Sequence, residues 1–360
     1  MHIKISYSTL ILFSLIFSSI VGIILQQRLF DFAHTYGNSL KLFLYFTFII
    51  NIILIAIYYS ALPSIMFLPV GIIFLIPYLL SQEFFLGKIV LIFFYLSASY
   101  FYLFKVNTSS IKFLKYPFYF YAGYISFKLL IGYSVNDVFD NSSNWISFYG
   151  ILLIAPYLFL CVYHRTQVSF FSVGVLLFLS LLSLSRSGII SSSILFLSIL
   201  IYSFGLKRSI LIFSILFISI ITIYNLFYFE SFSSVDQWRM QNFLSDGGRK
   251  SLNYLFIQKF GVENIFLPFD FNYFSRFLGY SNVHNSYINL FGRDFIFGLL
   301  ITFSFIIFFL SSYCLSLKLI LLSCIFRIFT DEGALFGYFD IVFYFPFFLL
   351  LSRFTSLKHE

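Results

Sequence analysis

Charge is what this chain has least of. Its 360 residues include only 14 Asp and Glu and 22 Lys and Arg, together 10% of the sequence. About a quarter of the residues of an ordinary soluble domain are charged, so a water-exposed globular fold is excluded. Cysteine is almost missing. Cys161, Cys314 and Cys324 all lie in apolar runs, without CxxC or metal-ligand spacing. That spacing excludes a zinc site and a disulfide framework and leaves three small apolar residues. The sequence has no GxxxxGK[ST] segment, which excludes a P-loop ATPase, and no D-x-D pair, which argues against a metal-dependent nucleotide-sugar transferase. With no basic stripe on a soluble domain, nucleic acid is excluded as a partner. No internal repeat or low-complexity linker is visible.

What is there is apolar: 60% of the residues are hydrophobic and the mean hydropathy is +0.96. The solvent for such a chain is lipid. The 56 Phe and 27 Tyr are the usage expected of an A- and T-rich gene, so no function is read into aromatic stripes.

A span needs about 20 apolar residues. Twelve runs qualify: Ile5–Leu25, Leu40–Tyr59, Ala61–Leu80, Ile89–Phe104, Phe113–Gly132, Ile146–Tyr163, Val168–Leu184, Ile189–Phe204, Ser209–Phe227, Phe295–Tyr313, Leu315–Phe329 and Gly333–Leu351. If the last is re-entrant, the count is eleven. The first run lacks a small-residue cleavage site before a soluble domain and reads as a retained span. The sequence therefore predicts an all-α polytopic membrane protein of about twelve transmembrane helices. It divides into a first membrane block of nine spans (1–228), a large external loop (229–293), and a second block of three spans with a tail (294–360).

The net charge of +8 sets the orientation. With Lys4 in the cytoplasm, the inward connections carry Lys105, Lys112, Lys115, Arg165, Lys207, Arg208, Lys318, Arg353 and Lys358, and the short outward loops carry little beyond Arg28 and Lys88. This obeys the positive-inside rule and puts both termini in the cytoplasm. Four segments then face outward: the turn at Arg186, the polar loop Ser134–Trp145, Thr330–Gly333, and the long loop. The long loop is partly helical. Ser234–Gln237 reads as a capping box for a helix through Phe243, Asp246–Gly248 as a turn, and Arg249 to Phe260 as a second helix stopped by Gly261.

The candidate chemistry sits in these outward segments. Arginine at membrane depth is expensive, roughly 2.5–3.5 kcal/mol at a helix centre. Arg186 lies at a helix boundary in Leu184-Ser-Arg-Ser-Gly188, where it reads either as an interfacial residue snorkelling to headgroups or as part of an anion cradle. In the second reading the N-terminus of the next span, opened by Gly188 and Ile189, adds its dipole, and Ser185 and Ser187 add hydroxyl donors. Arg327, inside the eleventh span, is either paired with Asp331 at i+4 or a second anion ligand, with Glu332 at the same rim. His284 precedes the tenth span; a lone loop histidine is usually only solvated, but here it also suits a base or an orienting hydrogen-bonder. Asn285 or Ser286 can cap the following helix. Arg249 and Lys250 open a helix whose dipole disfavours them.

Ser185-Arg-Ser-Gly188, then Gly247-Gly-Arg249 in a large external loop, Val283-His-Asn-Ser286 before a span, and Arg327-Ile-Phe-Thr-Asp331 near the last span together resemble the bacterial O-antigen polymerases (Wzy type). These belong with the O-antigen ligases in one superfamily of membrane glycosyltransferases. The resemblance covers the organisation of nearly the whole chain but fewer than twenty residues as motifs. Gly247-Gly-Arg249 continues as KSLNYLF, without the tryptophan frequent there in the ligases, which tilts the likeness to the polymerases.

The resemblance implies an enzyme that joins oligosaccharide repeats carried on undecaprenyl pyrophosphate at the outer face of the bacterial plasma membrane. A sugar hydroxyl attacks the donor's anomeric carbon and lipid pyrophosphate leaves, with no cofactor and no metal. It further implies Arg186, Arg249 and Arg327 on the pyrophosphate or acceptor sugars and His284 in proton transfer or acceptor positioning. Ser185, Ser187, Lys250, Asn285, Asp331 and Glu332 complete the substrate site. Its partners are the lipid-linked glycans, membrane lipid and a chain-length regulator protein. Two rivals stand: an O-antigen ligase, and a flippase of lipid-linked oligosaccharides, which would place charges along a central cavity where this chain has only Lys128 and Arg327.

Overall fold

The structure, a computed structural model, describes residues 7–26, 37–59, 86–135, 137–139, 144–227, 249–265, 267, 269, 285–311, 313–330 and 339–356. Among these residues every regular element is helical. In chain order they are α1 (Tyr7–Gln26), α2 (Gly37–Tyr59), α3 (Leu86–Phe104), α4 (Tyr116–Leu130), α5 (Asn144–Tyr163), α6 (Phe170–Leu182), α7 (Arg186–Phe204), α8 (Leu206–Phe227), α9 (Arg249–Lys259), α10 (Ser286–Arg293), α11 (Phe295–Leu310), α12 (Leu315–Thr330) and α13 (Phe345–Ser356). Four of them, α1, α2, α5 and α7, are long and apolar enough to cross a membrane. The all-helical, membrane-type fold is as expected. The predicted third span, the helix after Ser234, and the turn at 246–248 lie outside the described residues.

Most helix limits lie within a few residues of the predicted runs, and two differences have a visible cause. The helix of the predicted fifth span, α4, starts at Tyr116, not Phe113, because Thr108–Lys115 winds as a 3-10 helix capped by the Asn107 side chain, and Pro117 then opens α4. The last apolar run is not one α-helix in its described part: Asp340–Tyr344 is 3-10 and α13 follows. The loop helix Arg249–Lys259 has the predicted limits, with Gly261 just beyond.

Helix α5 is the axis of the bundle. Every residue from Ile146 to Val162 is buried. Helices α4, α6, α7 and α12 pack on it directly, and the Thr108–Lys115 and Asp340–Tyr344 segments close the remaining sides. Its composition fits this position, since it is apolar on all faces and so cannot be a one-sided surface helix. The most extensive helix pair is α7 with α12. Serines line that seam, where Ser323 Oγ donates to the Ser191 carbonyl (2.7 Å) and Ser198 Oγ to the Ser316 carbonyl (3.3 Å). Small hydroxyl residues let two helices approach closely where no water competes for the bonds. On the far flank, Asn51 of α2 donates to Ser18 Oγ of α1 (3.2 Å), and Ser18 donates to Thr47 Oγ1 (3.2 Å). The helices α2 and α8 at the two edges expose large apolar residues such as Leu42, Ile57, Leu211 and Ile218, the surface that lipid solvates.

The two ends of the bundle differ in charge. One end gathers the N-termini of α5 and α7 and the C-terminus of α12. The opposite end carries Lys105, Lys112, Lys115, Arg165, Lys207, Arg208 and Lys318 and, among the described residues, no Asp or Glu.

Candidate functional site

The turn that carries Arg186 is built from three backbone decisions. Ser183 ends α6, and Leu184 turns the chain with φ of 47°, in the left-handed region that costs a non-glycine residue about 1–2 kcal/mol. Ser185 is then extended (φ −79°, ψ 102°), and its hydroxyl accepts from the Gly188 amide at 3.3 Å. That makes Ser185 a helix N-cap. Arg186 is therefore the first residue of α7, not a residue between two helices, and Gly188 and Ile189 lie inside the first turn. Ser185 is buried and its hydroxyl oxygen accepts the capping bond. Arg186 itself is half-buried.

Gly188 is the residue that lets this turn come close. A Cβ on it would lie 2.1 Å from Ser147 Oγ and 2.4 Å from Ser147 Cβ, distances at which no real atoms pack. The glycine is thus the contact point between α7 and the first turn of α5.

Arg327, in the last turn of α12, is fully buried, and it is the largest such side chain in the described structure. Its guanidinium donates through Nη1 to Ser187 Oγ (3.0 Å) and Thr330 Oγ1 (3.2 Å), and through Nη2 to the Asn144 carbonyl (2.8 Å) and Ser147 Oγ (3.5 Å). Its Cζ lies 5.1 Å from the Phe148 ring centre. A buried guanidinium is tolerable only when its donors are met. Here three helices meet the donors of Nη1 and Nη2, though not Nε: α7 through Ser187, α5 through Asn144 and Ser147, and α12 through its own Thr330. Arg327 thus stands behind the turn and ties its three walls together. The sequence-level pairing with Asp331 cannot be located, because Asp331 and Glu332 lie outside the described residues.

The first turn of α5 completes the node. Tyr121 of α4 donates its hydroxyl to the carbonyls of Ile146 (2.9 Å) and Trp145 (3.2 Å). The Trp145 indole stacks on Tyr149, with ring centres 5.2 Å apart and planes 14° apart, and meets Phe148 edge-on at 5.3 Å. The sequence reading placed Asn144 and Trp145 only in an outward polar loop and missed Ser147, Phe148 and Tyr121 altogether. A tryptophan directly before a long apolar run was the one signal available for this turn.

Beside the node, Asn285 caps α10 by accepting from the Tyr287 (2.9 Å) and Ile288 (3.2 Å) amides. The cap predicted from sequence is present, and it occupies the oxygen that a substrate would otherwise find. Tyr287 stacks on Phe329 of α12 at 4.2 Å, which brings α10 against the helix that carries Arg327. Arg249 and Lys250 open α9, as expected. His284 lies outside the described residues.

Two arginines, Arg186 and Arg249, therefore each occupy the first position of a helix. The helix dipole already makes that end positive, so an added cation is disfavoured there by about 0.3–1 kcal/mol and an anion is favoured. Chemically, the Arg186 turn is a half-exposed cation on a positive helix end, backed by a rigid hydroxyl and carbonyl scaffold. No group of three or more His, Cys, Asp or Glu side chains able to hold a metal occurs among the described residues. No family model, curated protein or solved structure matches the chain.

Proposed function

We propose that this protein is a membrane glycosyltransferase of the O-antigen polymerase type, joining oligosaccharide repeats carried on undecaprenyl pyrophosphate into O-antigen or capsular polysaccharide. The observation that carries this reading is the Arg186 turn: a cation set on the positive end of a long helix and fixed there by the buried Arg327. An anion is the ligand that such a turn stabilises, and arginine's planar fork binds phosphate oxygens in pairs. In the proposed orientation the chain crosses the plasma membrane about twelve times with both termini inside. The cation-rich end, which among the described residues carries no Asp or Glu, then faces the cytoplasm, and the Arg186 end faces outward.

In the reaction a hydroxyl of the acceptor repeat attacks the anomeric carbon of the donor sugar. The new glycosidic bond forms as the bond to the lipid pyrophosphate breaks, and the hydroxyl proton leaves to a base. Arg186 and Arg249 stabilise charge gathering on the pyrophosphate; losing one such donor from a preorganised site costs about 10²–10³ in rate. His284 takes the proton or places the acceptor. Arg327 acts through Ser187, holding the Arg186 turn in place.

The test is a surface-glycan gel from a strain lacking the gene. A ladder reduced to core plus one repeat supports the polymerase. Accumulation of finished lipid-linked polymer identifies a ligase, and repeats retained on the cytoplasmic leaflet identify a flippase. Arg186→Ala and Arg186→Lys are each expected to remove the polymer at normal protein level; an unchanged ladder refutes the assignment.

A further inference from the structure

Trp145 stands where a membrane tryptophan has no ordinary reason to be. Interfacial tryptophans anchor the lipid-facing rim of a protein at the headgroups. Trp145 instead tops α5, the helix whose residues Ile146 to Val162 are all buried and which α4, α6, α7 and α12 surround. A side chain at the tip of the central helix opens onto the middle of the bundle's end, away from the lipid perimeter.

The ring is also held still. Tyr149 backs it in a near-parallel stack (14°), and Phe148 meets it edge-on (90°). Tyr149 is in turn braced edge-on by Phe339 at 5.6 Å. The Trp145 carbonyl accepts from the Tyr121 hydroxyl (3.2 Å). The carbonyl of the preceding residue, Asn144, is held by Arg327 (2.8 Å), and the same guanidinium holds Ser187, the residue after Arg186. One buried cation thus fixes both the aromatic ring and the arginine turn. Yet Trp145 is only partly buried where it packs against the core, so part of a rigid aromatic residue is left accessible beside a cationic turn.

A pyranose ring fits that surface. One face of such a sugar carries C–H bonds only, which pack on an aromatic plane, and its hydroxyls lie at the edge, where they reach hydrogen-bond partners. Rigid aromatic side chains supply such contact area at low entropic cost. We propose that Trp145, backed by Tyr149, is a carbohydrate-stacking platform that seats a sugar ring of the lipid-linked repeat beside the Arg186 turn. This rests on the polymerase reading above and adds to it a contact for the sugar, where Arg186 and Arg249 serve the pyrophosphate.

The test is made in whole cells and on the full-length protein. Trp145→Phe and Trp145→Tyr keep an aromatic plane and are expected to keep the glycan ladder. Trp145→Leu keeps bulk without the plane and is expected to lower polymer at least tenfold at unchanged protein level. A wild-type ladder in Trp145→Leu, with Arg186→Ala devoid of polymer, overturns the platform and leaves the polymerase reading standing. A wild-type ladder in both variants overturns the polymerase reading as well.

Should Trp145→Leu fail to accumulate, a second measurement decides. The chain has two tryptophans, so Trp238→Phe leaves Trp145 as the sole indole. In nanodiscs this protein is titrated with the oligosaccharide released by mild acid from lipid-linked repeats of the deletion strain. A saturable change in Trp145 emission, absent with inorganic pyrophosphate alone, supports the platform. Emission that stays flat at millimolar oligosaccharide overturns it.

Discussion

At the scale of single residues, the candidate site depends on one missing methyl group and one buried cation. Gly188→Ala pushes a Cβ into Ser147, and overpacking of this kind costs about 1–3 kcal/mol. The expected result is a lower melting temperature for the detergent-solubilised protein, partly restored by adding Ser147→Gly, which removes the two nearest clashing atoms and leaves Ser185 Oγ at 2.9 Å. If the double variant melts no higher than Gly188→Ala alone, the contact is not what the glycine serves. Arg327→Met replaces a cation bound by three helices with an apolar chain of similar length. Loss of hydrogen bonds to a charged group costs about 1.5–3 kcal/mol each, so a large fall in melting temperature is expected together with loss of polymer. Arg186→Ala separates from it, because polymer is lost there while melting is unchanged. Equal melting of Arg327→Met and wild type would show that the buried guanidinium holds nothing together. These residues also mark how far a sequence can be read. Arg327 was visible as an expensive charge in an apolar run, but the partner the sequence offers is Asp331, four residues on. The partners the structure describes, Ser187 and Asn144, are 140 and 183 residues away and come from two other helices. Hydroxyls and backbone carbonyls carry no label in a sequence that says which cation they will meet.

At the scale of elements, the apolar runs were legible because a span needs only length and hydrophobicity, and most of the predicted runs that fall in the described residues contain a helix. Boundaries were legible only where a local signal existed. Asn285, Asp294 and Asn107 cap α10, α11 and the stretch Thr108–Lys115 from their own side chains, whereas its winding as 3-10 and not α follows from its packing against α1, α4 and α5. The connection after α5 is another tertiary device. Arg165 adopts φ of 55°, Tyr202 of α7 donates to the Thr166 carbonyl (3.0 Å), and His164 Nε2 contacts the Tyr102 carbonyl at 3.3 Å, which requires the proton on that nitrogen. Burial lowers the His164 pKa below its ordinary 6.5, with the Tyr102 bond opposing the shift. The folded protein then binds fewer protons than the unfolded chain in the window just below 6.5. Stability is complete above that value and falls as the pH drops through it. Melting at pH 7.5 and pH 5.5 is expected to show this fall, and His164→Gln to reduce it. A fall of the same size in the variant would assign the pH dependence elsewhere.

At the scale of the whole molecule, charge is sorted by end, and this sorting gives the proposed orientation a chemical test. Cys314 is exposed at the cation-rich end, whereas Cys161 and Cys324 are buried. A membrane-impermeant maleimide is expected to leave intact spheroplasts unlabelled and to modify Cys314 once they are opened. Labelling of Cys314 in intact spheroplasts would invert the topology and put the Arg186 turn in the cytoplasm, where no polymerisation on the outer leaflet could use it. The position of α5 has a further consequence, in the order of synthesis. This helix emerges from the ribosome shortly before α7 but long before α12, so it first meets lipid on a side that the finished bundle covers. The Asn144 carbonyl lacks its guanidinium partner in that state until Arg327 has been made. A nascent chain stopped before α12 therefore holds its inserted helices without the clasp that joins them. Completion of the clasp is the step that joins α5, α7 and α12 through one side chain.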